Sequence, residues 1–164
     1  MAEDTLISFT NVLRVLDELG EALRNEYQDN LIRSNKIASG DLLNSVEFHI
    51  VQDGRTFKVN LELRSYWEYI ERGTKPHFPP ISALLKWIEV KPVIPRPNDN
   101  GRLPTPLQLA FAIRNKIGKL GTEGTPALKQ AKDTILADYR DRLAEAFAQD
   151  VGNSINLLIV RHLE

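Results

Sequence analysis

The chain has 164 residues, 42% of them apolar and 26% charged, with a formal net charge of −1 and no cysteine. That size suits one domain with a conventional core, and the composition excludes a chain disordered from end to end. The absence of thiols excludes disulfides, thiolate metal sites and cysteine nucleophiles, and no apolar run approaches the ~20 residues of a membrane span.

From Thr5 to Ser34 the residues Leu6, Phe9, Leu13, Leu16, Leu23, Tyr27 and Leu31 recur at steps of three or four. This spacing predicts one long amphipathic helix within 1–35, with Asp4 capping its first amides. At 1.5 Å per residue it would be ~45 Å long, so it either packs partly on another chain or bends near Gly20. Ser39-Gly40-Asp41 reads as the break after it. Val46–Ile50 and Phe57–Leu63 alternate apolar with polar residues around Asp53-Gly54, which predicts a β-hairpin over about 43–64.

Tyr66–Arg72 predicts a short helix stopped by Gly73. Tyr66 and Tyr69 are expected in the core, and Trp67 suits core and interface equally. Ser82–Val90 predicts another helix. Lys91–Pro104 contains four prolines and Asn98-Asp99-Asn100-Gly101, so a stiff loop is expected there, projecting beyond its own domain. Within it Val93-Ile94 reads as an apolar anchor, and Lys91, Arg96 and Arg102 suit phosphates or an acidic partner. Pro106 opens a helix expected to end at Gly118. Thr125 is expected to cap the last helix with Pro126 at its first position. Its buried stripe would be Leu128, Ala131, Ile135, Tyr139, Leu143 and Phe147, and beyond Gly152 the pattern fits strand or helix. The expectation is a single α+β domain over 1–164 with one small antiparallel sheet, flanking short helices and a long C-terminal helix.

Charge is divided along the chain. Residues 1–71 carry seven basic and thirteen acidic groups (−6), residues 72–119 nine and two (+7), and residues 120–164 five and seven (−2). A basic middle between acidic ends attracts either nucleic acid or the acidic part of a neighbouring copy. Catalytic constellations are not legible. His49, His77 and His162 do not pair at i,i+4, no glycine-rich loop ends in Lys-Ser or Lys-Thr, and no strand precedes Gly118, Gly121 and Gly124. Glu68 and Glu71 share a helix face, an arrangement usual on solvated or salt-bridged surfaces. No enzyme, cofactor or metal is expected. The acidic start Met1-Ala2-Glu3-Asp4 is unlike the basic start of a signal peptide.

Three motifs follow in order: Ser39-Gly40-Asp41-Leu42-Leu43-Asn44-Ser45, Tyr66-Trp67-Glu68-Tyr69-Ile70-Glu71-Arg72-Gly73-Thr74, and Phe111–Ile117 with Gly121-Thr122 and Thr125-Pro126-Ala127-Leu128. Together they resemble the tail-completion or neck (head–tail joining, connector) proteins of tailed bacteriophages over about 36–135. Trp67 stands where the family usually has a small residue, and Ala127-Leu128 replaces phenylalanine-leucine. The resemblance implies a structural virion protein, made in the host cytoplasm and placed in the neck of the particle. It implies a homo-oligomeric ring of six or twelve copies between the portal or an adjacent connector ring and the tail proteins. Such a ring surrounds the DNA channel and makes at most non-specific contact with genomic DNA. Gly40, Gly73 and Thr74 are then structural turn residues, and Trp67, Arg72, Lys91, Val93, Ile94, Arg96 and Arg102 form the candidate interface. The residues 91–104 and 136–164 would be a projecting loop and a C-terminal helix with its tail. A tail terminator or tail-tube-associated protein of the same virion is the alternative. A small DNA-binding regulator using 72–119 is a reading of another class, although no helix is dense in Lys or Arg and no helix-turn-helix pattern is present.

Overall fold

The computed structural model describes residues 7–54, 56–91, 93–97 and 100–161. Among them the fold is α+β, with a long helix near each end of the chain and an antiparallel hairpin, as the periodicities predict. The chain gathers into two compact units: Met1–Tyr27, Glu47–Glu62 and Lys129–Glu164 form the first, and Gln28–Val46 with Leu63–Leu128 form the second.

The first unit is built on α1 (Thr10–Arg33, its residues up to Tyr27), the strands β1 (Glu47–Asp53) and β2 (Thr56–Glu62), and α6 (Ala127–Arg161, from Lys129 onward). Its core is Val12, Val15, Leu16, Leu19 and Ala146, joined by Phe9, Ile50, Phe57, Val59, Ile135, Tyr139 and Leu143. The hairpin pairs Phe48 with Leu61 and Ile50 with Val59, and the alternate residues Phe48, Ile50, Phe57, Val59 and Leu61 are the less exposed set. Full burial of such a side chain contributes roughly 1.5–3 kcal/mol, and these partly buried residues contribute a fraction of that each. Gly54 has φ +58° at the turn, while Asp53 is the last paired residue of the strand, opposite Thr56. The helix α1 runs on through Gly20, whose role is space: a Cβ there would lie 2.3 Å from the Phe48 ring.

Helix α1 begins five residues later than its spacing predicts, and the Asp4 cap lies outside the described residues. The cap is supplied from far away in sequence. Asp150 accepts from the backbone N–H of Asn11 at 3.0 Å, the backbone N–H of Val12 at 2.9 Å and the Asn11 side-chain amide at 2.7 Å. The stripe is also shifted, with Leu13 partly exposed and Val12, Val15 and Leu19 buried. On α6, Ala131, Ile135, Tyr139 and Leu143 face inward as expected, but Ala146, Asp150 and Ser154 continue the inner face while Phe147 is half exposed. Phe147 stacks on Phe9 at 6.2 Å between ring centroids. The helix continues through Gly152 to Arg161, which resolves the open choice between strand and helix.

The second unit contains the end of α1, α2 (Asp41–Asn44), α3 (Trp67–Arg72), β3 (Gly73–Thr74), α4 (Ile81–Val90), α5 (Pro106–Leu120), β4 (Thr122–Glu123) and the first turn of α6. Asn35, not the Ser39-Gly40-Asp41 run, ends α1. With φ +53° it lets Asn35 and Lys36 donate to the carbonyls of Ile32 and Leu31, each at 3.0 Å. Between Lys91 and Pro104 no described residue has helix or strand structure, in line with the expected loop.

Helix α5 starts with a reciprocal cap in which Thr105 and Gln108 each accept from the other's backbone, with Pro106 at the first position. It passes Gly118, its expected end, and stops at Gly121, where φ is +72°. Gly118 instead leaves room for Phe78, whose ring carbon would sit 2.1 Å from an added Cβ. A second, two-residue antiparallel ladder pairs Gly73 with Glu123 and Thr74 with Thr122; its strands are too short to read as a pattern. The start of α6 is capped by Glu71, which accepts from the Leu128 N–H at 3.0 Å, rather than by Thr125.

Candidate interaction site

The first motif becomes the turn around Gly40 (φ +84°) and the short α2. The second becomes α3 and β3, and the third becomes α5, β4 and the start of α6. Together with the end of α1 and helix α4, these segments line a half-open cavity of about 720 Å³ within the second unit, in the size range of ligand and docking sites. Leu31, Leu42, Leu43, Ile70, Leu84, Ile113 and Ile117 supply apolar wall, and Tyr66, Tyr69 and Trp87 supply aromatic surface.

Tyr66 and Tyr69 are therefore not core residues. They are 38% and 65% exposed, and each spends its ring on the cavity wall instead. Burial and then the neighbouring Asp41 carboxylate push the Tyr66 hydroxyl above its ordinary value, against a hydrogen bond with the Leu42 backbone and the charge of Arg64.

Two lysines border the same space. Lys36 donates to the Glu123 backbone carbonyl at 3.4 Å, and Lys91 donates to the Asn35 carbonyl. The Lys91 ammonium also stands 5.8 Å from the centre of the Trp87 ring. Burial, followed by the charge of Lys36, lowers the Lys91 pKa from its ordinary value. Among the described residues no carboxylate forms an ion pair with either ammonium.

Of the candidate interface and turn residues named from the sequence, Gly40, Thr74 and Lys91 meet at this cavity. Thr74 does so with its hydroxyl 2.9 Å from that of Thr122, not bonded back to the local backbone. Gly73 holds φ +72° with backbone packed tightly against it. Trp67 is half-buried on α3 and Arg72 is exposed at its end. In the loop Ile94 is 93% exposed, Arg96 and Arg102 are exposed and Val93 is half-buried, and none of the four lines the cavity. His77 Nδ1 lies 2.9 Å from the Lys75 carbonyl oxygen, a turn contact, and the residue also borders the cavity. Glu68 is exposed, whereas Glu71 serves as a helix cap.

Sequence reasoning missed Lys36, Trp87 and the cavity itself. Trp87 had a visible signal, since it stands off the apolar stripe of Leu84, Leu85 and Ile88. On the first unit, Glu47, His49 and Glu62 come together on the exposed face of the hairpin, with His49 Nε2 at 3.6 Å from Glu62. All three are exposed and nothing else points to an ion there.

No family model, no curated protein and no solved structure matches the chain.

Proposed function

We propose that the chain is a structural subunit of a tailed-bacteriophage neck, one copy of a ring that joins portal to tail around the DNA channel. The observation that carries this reading is the meeting of the three motifs in one compact unit. Gly40 and Thr74 line one cavity, Thr74 pairs with Thr122, and the Thr125 N–H donates to the Ile70 carbonyl at 2.7 Å. Segments scattered from Ser39 to Leu128 thus form one structural element, the form in which a family signature is expected to act.

Two further features support the reading. A ring requires one patch to meet a different patch on the next copy. Over the full sequence the first unit holds 9 basic and 15 acidic residues (−6), and the second holds 12 and 7 (+5). Large apolar side chains are also left exposed mainly on the second unit, among them Tyr69, Phe78, Val90, Ile94, Leu103 and Leu120, as an interface needs. Phage particles assembled without this protein are expected to accumulate as filled heads and separate tails, and adding the purified chain should restore infectivity. Normal infectious yield without the protein would refute the assignment.

A further inference from the structure

The lysine-bordered cleft of the second unit is half open to solvent, and Tyr66, Tyr69 and Trp87 on its wall remain exposed. Apolar and aromatic surface left open in a concave site marks a place for an occupant. Its wall is aromatic and aliphatic, and its two lysines meet carbonyl oxygens and the Trp87 ring but, among the described residues, no carboxylate. The complementary occupant carries an apolar side chain together with a carboxylate. Glu123 is also on the wall, and among the described residues its carboxylate forms no ion pair with either lysine.

We propose that this cavity is the docking site for the acidic first unit of a second copy of the chain. The inference rests on the ring reading and adds to it the place where one subunit grips the next. Charge selects the occupant: the two units carry −6 and +5, so head-to-tail contact is attractive while like units repel. The first unit also presents apolar side chains beside acids, such as half-exposed Leu136 one turn from exposed Asp133 on α6. Because the contact is heterologous, it propagates from copy to copy, and it gives a ring when the rotation between neighbours closes on itself. A carboxylate arriving between Lys36 and Lys91 relieves their mutual repulsion.

The chain lacks cysteine, so one introduced thiol can be labelled without background. Ala38→Cys, placed at the exposed edge of the cavity and carrying a benzophenone photo-crosslinker, should join to 10–27, 47–62 or 129–161 of a second copy. The double variant Lys36→Glu/Lys91→Glu should weaken self-association by about tenfold or more, since like charges facing across an interface cost several kcal/mol. The control Lys36→Arg/Lys91→Arg should associate normally, and circular dichroism should show all variants folded. Crosslinks confined to the second unit, or capture of a small molecule in place of a second copy, would overturn the docking proposal. So would undiminished ring assembly of the charge-reversed variant, which leaves the ring reading standing. A wild-type chain that stays monomeric at every concentration, with portal present, would overturn both.

Discussion

Asp150 shows how one side chain ties together parts of the sequence that lie 139 residues apart. It is 2% exposed, and burial alone would raise its pKa. The amide donors of Val12 and Asn11, the Asn11 side chain and the charge of Arg14 more than offset this and hold it below the usual carboxylate value. Asp150→Ala should destabilise the protein by about 2 kcal/mol, because it strands buried donors at a helix start. The carboxylate's folded pKa lies below its unfolded value of about 3.9. Its contribution is therefore complete above that value and disappears as the pH falls through the lower folded pKa. Thermal melts from pH 6 downward should show the wild-type advantage over Asp150→Ala vanishing only in that acid range. No local pattern reveals this cap, since its partner is distant, whereas the Gly73 stop was legible from neighbouring residues. At Gly73 an added Cβ would meet the Thr122 carbonyl oxygen at 2.1 Å while φ stays at +72°. Gly73→Val should thus cost at least about 2 kcal/mol, and Glu68→Gln, on an exposed site, no more than about 0.5 kcal/mol. Urea denaturation of the two variants checks the pair.

Among elements, the hairpin and both long helices were legible because burial there repeats at the period of the backbone itself. The phase of a helix was less so: Leu13 and Phe147 fall outside stripes that Val12, Val15 and Ala146 complete. Helix ends failed where a tertiary contact decides them. Gly20 and Gly118 look like breaks, but each lies inside a helix and makes room for an aromatic ring. Gly20→Leu should accordingly push Phe48 off α1 and destabilise the first unit by roughly 1–3 kcal/mol. The loop gives the opposite expectation. Replacing residues 92–100 with a short Gly-Ser linker should leave the melting temperature nearly unchanged, since Ile94, Arg96 and Pro97 are exposed, but should impair joining of heads to tails. Unfolding of the shortened chain on heating to moderate temperature would mean that the loop packs on its own unit.

For the whole molecule, the total charge of −1 hides the arrangement that matters. Segment counts along the chain were enough to expose a basic middle, yet the units are assembled from separated stretches. The site escaped sequence reading for a related reason. Lys36 and Lys91 are 55 positions apart in the numbering, and large aromatic residues near them read as core when their rings actually wall a cavity. The opposite net charges of the two units are the basis of the proposed association between copies. Exposed charges are screened over about 8 Å at physiological ionic strength and about 3 Å at 1 M, so salt discriminates this account from a purely apolar interface. The most direct measurement is sedimentation velocity of the full-length chain across concentration, at low salt and at about 1 M. The account predicts a discrete ring at low salt that partly dissociates at high salt. A monomer under every condition, portal included, or an assembly indifferent to salt, would contradict it.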